Sequence, residues 1–569
     1  MIEKQILGSH AFIQSLLNEG VDTIFGYPGG AIMPVFDALY DFDKHINHIL
    51  TRHEQGATHA AQGYARVSGK VGVCLVTSGP AATNTITGIG DAMIDSTPMV
   101  VITGQVGAHL LGTDAFQEID VVGITQPITK WSYQIRKAED IAWAVARAFY
   151  IARSGRPGPV VLDFTKNAQF EKVDFDYKPC TFIRSYIPIP EVNPQQIEVA
   201  AALINQAKKP FALVGQGVIL ANAEEELKAF LEKANIPAAW TLLGSSAMAT
   251  DFELNKGFLG MHGNVAPNMK TNECDVLIAI GMRFDDRVTG DLTRYAKQAK
   301  VIHLDIDFAE INKNVKADAP VLGSAKETLP ALTAKILPAK HTEWIESFKE
   351  YDDREFEKVL QKEVYPTTGE ITMGEVIHRV TEATNNEAIM VSDVGQNQMM
   401  AARYFKYTKT RSSVTSGGLG TMGFAIPAAM GAKMGAPERT VCMFAGDGGF
   451  QMTIQELGTI MQEQIGIKMV ILNNHFLGMV RQWQEMFFEE RYSFTKMQNP
   501  DFIAIAKAYK IDGREVHVRE ELDAAIADML KDDKPYLMVV NVEMKGMVYP
   551  MIPTGASVSD ILLGDEKSN

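Results

Sequence analysis

Short, nearly unbroken apolar runs recur along the chain and alternate with stretches of helical spacing. A first group is VGVCLVTSG (71–79), PMVVITG (98–104) and GPVVLDF (158–164). A second is PFALVGQG (210–217), CDVLIAIG (274–281) and KVIHLDID (300–307). A third is EAIMVSDVG (387–395), RTVCMFAGDGG (439–449), IKMVILNN (467–474) and PYLMVVNVE (535–543). Strands apolar on both faces must be covered on both, and strand–helix alternation makes the sheets parallel. The expected fold class is therefore α/β, with three doubly wound parallel-sheet domains over residues 1–167, 193–340 and 369–545. Between them, 168–192 carries Pro and Tyr without periodicity and reads as an extended linker, while 341–368 is charged and reads as a surface helix. The tail, 546–569, has Pro and Gly punctuation and no clear strand, which leaves two readings open: a frayed terminus, or a lid over a site.

A chain of 569 residues exceeds what one hydrophobic core organises, in keeping with several domains. Its formal net charge of -15 leaves no cationic excess for nucleic-acid phosphates or an anionic membrane surface. The cysteines Cys74, Cys180, Cys274 and Cys442 form no CxxC pair, so neither a zinc site nor a disulfide framework is expected. MIEKQILGSHAF lacks a secretory apolar region and no run reaches membrane-spanning length, so a reducing cytoplasm is the expected location.

The chemistry concentrates in the third domain. Asp447 and Asn474, 27 positions apart, each follow an apolar run, at the carboxyl end of a parallel strand where open α/β sheets bind ligands. A carboxylate and an amide oxygen are hard ligands suited to Mg²⁺, which keeps sites for phosphate and water. Gly446, Gly448 and Gly449 allow close approach of a diphosphate to a helix start. A lone GDG is commonly a turn, but GDG followed by NN at this spacing resembles the signature of thiamine-diphosphate (ThDP) enzymes. In the first domain, Glu54 opens a helix in ILTRHEQGATHAAQGYAR (49–66). It suits the helix dipole in any case. It also suits the carboxylate that ThDP chemistry needs opposite N1′ of the aminopyrimidine, so that the 4′-nitrogen can remove the C2 proton.

Ordered blocks extend the resemblance over nearly the whole chain. They include FGYPGGAIMPVFDAL (25–39), TSGPAATN (77–84), GTDAFQEID (112–120), GMRFDDRVTG (281–290), GGLGTMGFAIPAA (417–429) and NNHFLGMVRQWQ (473–484). Together they resemble the catalytic subunits of the acetohydroxyacid (acetolactate) synthase family. The resemblance implies decarboxylation of pyruvate and ligation of its two-carbon unit to pyruvate or 2-ketobutyrate, in branched-chain amino-acid biosynthesis, with ThDP, Mg²⁺ and FAD. It implies that Glu54, Gln117, Lys130 and Gly30 are catalytic. Val394, Gly395, Gln396, Gly420, Met422, Asp447, Gly448, Gly449, Asn474, Phe476, Leu477 and Gly478 would bind ThDP, with the Phe476 carbonyl joining Asp447 and Asn474 on the metal. FAD would lie against Arg156, Gly215, Gly217, Thr241, Leu242, Gly260, Met261, His262, Gly281, Arg283, Asp285, Arg287, Asp305 and Ile306. The keto acids would meet Phe116, Arg287, Met479 and Trp483.

The family further implies a homodimer or homotetramer with active sites at the dimer interface, and a separate small regulatory subunit. The segment after PYLMVVNVE is expected to be too short for an appended effector domain. Two departures from the family pattern stand out: Asn397 where His is usual, and Ser324 where Asp is usual. The nearest rivals are another ThDP enzyme, such as a pyruvate oxidase or simple decarboxylase, and a catalytically silent binding protein. The joint presence of Glu54, Asp447 and Asn474 speaks against the latter.

Overall fold

The computed structural model describes residues 5–564. They form three six-stranded sheets, joined by a two-stranded antiparallel ribbon at the N-terminal edge. Every pairing within the large sheets is parallel. Each of the apolar runs named above contributes a strand, and the central ones, such as Val276–Ile280 and Ile467–Asn473, are buried along their whole length. This is the burial that a strand covered by helices on both faces requires.

Counted within its own sheet, the N-terminal domain has strand order 2-1-3-4-6-5, and so does the C-terminal domain. In both, the order reverses beside the first strand: Thr23–Tyr27 lies between Asn47–Leu50 and Gly72–Val76, and Ile389–Ser392 between Ser413–Thr415 and Val441–Gly446. The middle sheet has order 3-2-1-4-5-6, that of dinucleotide-binding folds, with its switch point between Pro210–Val214 and Val276–Ile280. Crevices for ligands open at such points, beyond the carboxyl ends of the strands.

Two helices clamp the first and third domains together, Glu54–Ser68 and Ala425–Gly435. Their facing residues, Ala57, Ala60 and Ala61 against Ala428, Ala429 and Ala432, are buried in one core. A Cβ on Gly63 would stand 2.0 Å from the Ala428 carbonyl oxygen, and one on Gly431 1.8 Å from that of Ala60. The helices thus meet backbone to backbone, which only glycine permits at those positions.

Two expectations need correction. The segment from 168 is not linker from its start: Lys166–Phe170 is a helix, and Lys172–Asp174 pairs with Gln5–Leu7. The apolar pattern could not reveal this pairing, since half of the ribbon's residues are exposed and none is fully buried. The described part of the tail is not frayed. Ile552, Val558, Ile561 and Leu563 are buried in the middle domain's core, the Ile552 amide donates to the Met261 carbonyl at 2.8 Å, and Gly290 bridges Ser557. The tail is a strap across the middle domain, and none of its described residues lines the large cavity beneath; residues 565–569 lie outside the described part. The charged stretch 341–368 is helical from Thr342 to Glu363 in successive pieces, with Trp344 and Phe348 buried. Among the described residues, no helix is long and apolar enough to cross a membrane.

Candidate active site

The strand Val441–Gly446 runs directly into Asp447, and Ile467–Asn473 into Asn474. Gly446 lies opposite Leu472 in the parallel register, so both side chains emerge at the same sheet edge. Asp447 is fully buried. Its Oδ2 accepts from Asn499 Nδ2 at 2.6 Å, while Oδ1 is buried with no hydrogen-bond partner. Desolvation holds its carboxyl above the usual carboxylate range, against the opposing Asn499 bond. A buried carboxylate oxygen without a donor is an unfavourable arrangement that a bound cation corrects. Asn474 Oδ1 accepts from the Phe476 amide at 3.1 Å and keeps a second lone pair; its Nδ2 donates to Gln396 Oε1 at 3.2 Å. This donor set of carboxylate, amide oxygen and carbonyl fits a hard divalent ion.

The glycines here serve close packing. A Cβ on Gly449 would fall 2.4 Å from Asp393 Oδ1, one on Gly448 2.7 Å from Leu477 Cδ2, and one on Gly478 2.2 Å from Gln396 Oε1. Asp393, a buried acid that no sequence pattern marks, accepts from the amides of Val394, Gly423 and Ala425. It therefore ties the loop Val394–Gly395 to the loop that holds Gly420 and Met422. Gly395 and Gly420 have φ of 132° and 70°, which favour glycine. Asn397 spends its amide on the carbonyls of Asp393 and Phe444 and so supports the loop.

In the middle domain, Gly217 and Gly281 touch at the switch point: a Cβ on either would come within 2.7 Å of the other's Cα. Gly260, at φ 122°, leads into Met261 and His262. Asp305 ends its strand with a carboxyl pushed up to about 7 by burial, and accepts from the Asp307 amide at 2.8 Å. Arg156 reaches across from the N-terminal domain, its guanidinium on Glu310 at 2.7 Å and Asp307 at 3.1 Å. Ser324 caps the helix Ala325–Lys335, its hydroxyl accepting from the Lys326 amide.

These two edges share one cavity of about 940 Å³. From the flavin set it is lined by Arg156, Gly217, Thr241, Leu242, Gly260, Met261, His262, Gly281, Arg283, Asp285, Arg287, Asp305 and Ile306. From the C-terminal domain come Val394, Gly395, Gly420, Met422, Met479 and Trp483. Gly215 is set back, packed against Gly281 and Met282, and does not line the cavity. Asp447, Gly448, Gly449, Asn474, Phe476, Leu477, Gly478 and Gln396 lie behind the glycine loops and do not line the cavity.

The N-terminal candidates gather elsewhere. Gly30 follows the strand Thr23–Tyr27, Gln117 packs on Gly79, and the Glu54 carboxylate accepts from Asn84 Nδ2 at 2.9 Å. All stand near the carboxyl ends of the N-terminal sheet, with Phe116 88% exposed beside them, and none lines the cavity of its own chain. Lys130 is apart from this group. Its ammonium donates to the carbonyls of Ile151 and Ser154 and to the Tyr186 hydroxyl, and burial brings it down to about 8. Asn499, the partner of Asp447, lies 52 residues away and carried no sequence signal.

A strand-end acid beside glycine loops, repeated sheet topology and a dinucleotide-type middle sheet define a class of cofactor enzyme. The thiamine pyrophosphate enzyme N-terminal, central and C-terminal domain profiles match residues 6–124, 197–332 and 393–540. The chain is 43% identical over 557 residues to acetolactate synthase isozyme 2 large subunit of Escherichia coli K12, covering 98% of this chain and 99% of that one. It is 45% identical over 568 residues to the acetolactate synthase large subunit of Lactococcus lactis IL1403 (99% and 97%), and 45% over 570 to that of Corynebacterium glutamicum (98% and 90%). The chain belongs to the acetolactate synthase large-subunit family of thiamine pyrophosphate enzymes.

Proposed function

We propose that this chain is the catalytic subunit of an acetolactate synthase, which takes pyruvate as donor and a second pyruvate or 2-ketobutyrate as acceptor. The observation that carries this reading is the single cavity joining the dinucleotide-type crevice to the glycine loops, with Arg287, Met479 and Trp483 in its wall. Thiamine diphosphate supplies the electron sink for decarboxylation and carbon–carbon bond formation. Asp447, Asn474 and the Phe476 carbonyl would hold Mg²⁺, offsetting the diphosphate charge, while Gly395, on the cavity wall, leaves room for it. Met422 would prop the cofactor on the cavity wall. Gly217, Gly260, Gly281, Thr241 and Asp305 would hold FAD, whose part is structural because the ligation transfers no net electrons.

Arg287 is exposed toward the cavity and can take a keto-acid carboxylate through two N–H bonds. Trp483, tilted at 58° against Phe487 with ring centroids 5.6 Å apart, offers an apolar face to the acceptor's alkyl group. Glu54 does not line the cavity of its own chain, and Tyr27, Met33 and Phe116 are exposed apolar side chains of the same domain. Both features support assembly as a homodimer or homotetramer in which a second copy supplies Glu54, Gly30 and Gln117 to this cavity. The relatives' designation as large subunits supports a smaller regulatory partner. Four free cysteines suit a reducing cytoplasm.

The test is an absorption spectrum of the purified protein before and after pyruvate. Bound flavin that stays yellow during turnover supports the reading; bleaching would make the chain an oxidase, and absence of flavin would remove FAD from it.

A further inference from the structure

The turn that delivers Glu54 is gripped from the third domain. After the strand Asn47–Leu50 the chain passes Thr51–His53 and enters the helix at Glu54. The Arg52 amide donates to both oxygens of Glu456, at 3.0 and 3.1 Å. Thr459 Oγ1 lies 2.8 Å from Glu456 Oε2 and 3.1 Å from the Leu50 carbonyl. The Arg52 guanidinium returns the grip, reaching the Gly458 carbonyl at 3.1 Å and Gln462 Oε1 at 2.8 Å. Glu456 is fully buried, 404 residues from Arg52 in sequence. Gly56 must lack a side chain for the carboxylate to stand there, since its Cβ would fall 2.5 Å from Oε1.

Burying a carboxylate is costly unless donors meet it, and burial pushes this one up to about 7. The donors that meet it belong to the turn ahead of a helix, where an anion also suits the dipole. The groups facing it from the elements packed on it are Arg52, His53, Gly56 and Thr459. None is a substrate or metal ligand in the proposed function. The amide that meets both of its oxygens, that of Arg52, lies two residues ahead of Glu54.

The geometry points to Glu456 as a positioning residue for Glu54: from the C-terminal domain it fixes the backbone at Arg52, and so sets where the activating carboxylate stands. This rests on the assignment of Glu54 as activator. It also means that the third domain of a chain, which holds one cofactor, anchors the acid that this chain presents to the other copy's cofactor.

The test compares Glu456→Ala and Glu456→Gln with Glu54→Gln. In cofactor-free protein, amide exchange of a peptide spanning 50–56 should rise about 10-fold or more in Glu456→Ala, and only about 3-fold in Glu456→Gln, which keeps one acceptor oxygen. With ThDP and Mg²⁺ bound, C2–H exchange of the cofactor should slow about 10-fold in Glu456→Ala and be largely rescued in Glu456→Gln, with ThDP affinity unchanged in both. Should Glu456→Ala not fold, the smaller rise in Glu456→Gln decides the amide arm. Unaltered amide exchange, or a Glu456→Ala rate equal to wild type while Glu54→Gln is slow, would overturn the inference. A wild-type C2–H rate in Glu54→Gln would instead sink the assignment of Glu54, leaving the amide arm to judge the grip on the turn.

Discussion

Replacing Asp447 by Asn should have opposite effects on the cofactor-free protein and on cofactor binding. Asp447 is buried, with Oδ2 on Asn499 and Oδ1 lacking any donor. An asparagine can turn its oxygen to Asn499 Nδ2 and place its amide where the unpartnered oxygen stood. That removes a buried charge but leaves the amide's hydrogens unpaired in its place; since a neutral amide is less costly to bury than a carboxylate, the net relief is about 1–3 kcal/mol. At about 2–4 °C per kcal/mol for a domain of this size, the apo melting temperature should rise by roughly 2–10 °C near pH 7. The sign follows from the raised carboxyl: ionisation is disfavoured in the folded state, so its destabilisation is present above the folded pKa and fades as pH falls toward the unfolded value of 3.8. The gain from Asn should therefore shrink at low pH. ThDP and Mg²⁺, by contrast, should bind about 100-fold more weakly or worse, because the metal loses its protein carboxylate while the diphosphate keeps its charge. Thermal melts from pH 5 to 8 and a ThDP titration at fixed Mg²⁺ read both effects. An apo protein that melts lower, together with wild-type ThDP affinity, would show Asp447 to be an ordinary turn residue.

Glu54→Gln should leave the fold intact and slow C2–H exchange of bound ThDP by roughly 100-fold or more, read by NMR; an unchanged rate excludes the assignment. Trp483→Leu should cut the preference for 2-ketobutyrate over pyruvate by about 10–200-fold, the worth of one methylene in an apolar pocket, in a competition assay with both acids; an unaltered product ratio would put the indole outside the acceptor site. Gly431→Ala should lower stability by roughly 3 kcal/mol or more, since its Cβ would come within 1.8 Å of the Ala60 carbonyl. Denaturant unfolding measures that loss, and a wild-type midpoint would mean that the two helices can part at no cost.

The central strands were legible because burial on both faces writes itself as an unbroken apolar run. Edge strands such as Ser413–Thr415, Asn255–Phe258 and Asp512–Val516 were not, being short or half polar. The strand-end places of Asp447 and Asn474 were legible because each follows a readable strand. Asn499 and Glu456 were not: each acts on a residue far away in the chain, Asn499 on Asp447 and Glu456 on Arg52. The sequence could not show that the missing side chain of Gly215 makes room for Gly281 and Met282, which come from a strand end 66 residues away. The tail's apolar residues were too sparse to show periodicity, although Ile552, Val558, Ile561 and Leu563 fill the middle domain's core.

The most direct test is product identification by NMR after the purified chain, with ThDP, Mg²⁺ and FAD, is given pyruvate alone and pyruvate with 2-ketobutyrate. The account predicts 2-acetolactate from the first and 2-aceto-2-hydroxybutyrate from the second. Acetaldehyde or acetate as the main product, with no carbon–carbon bond formed, would contradict it.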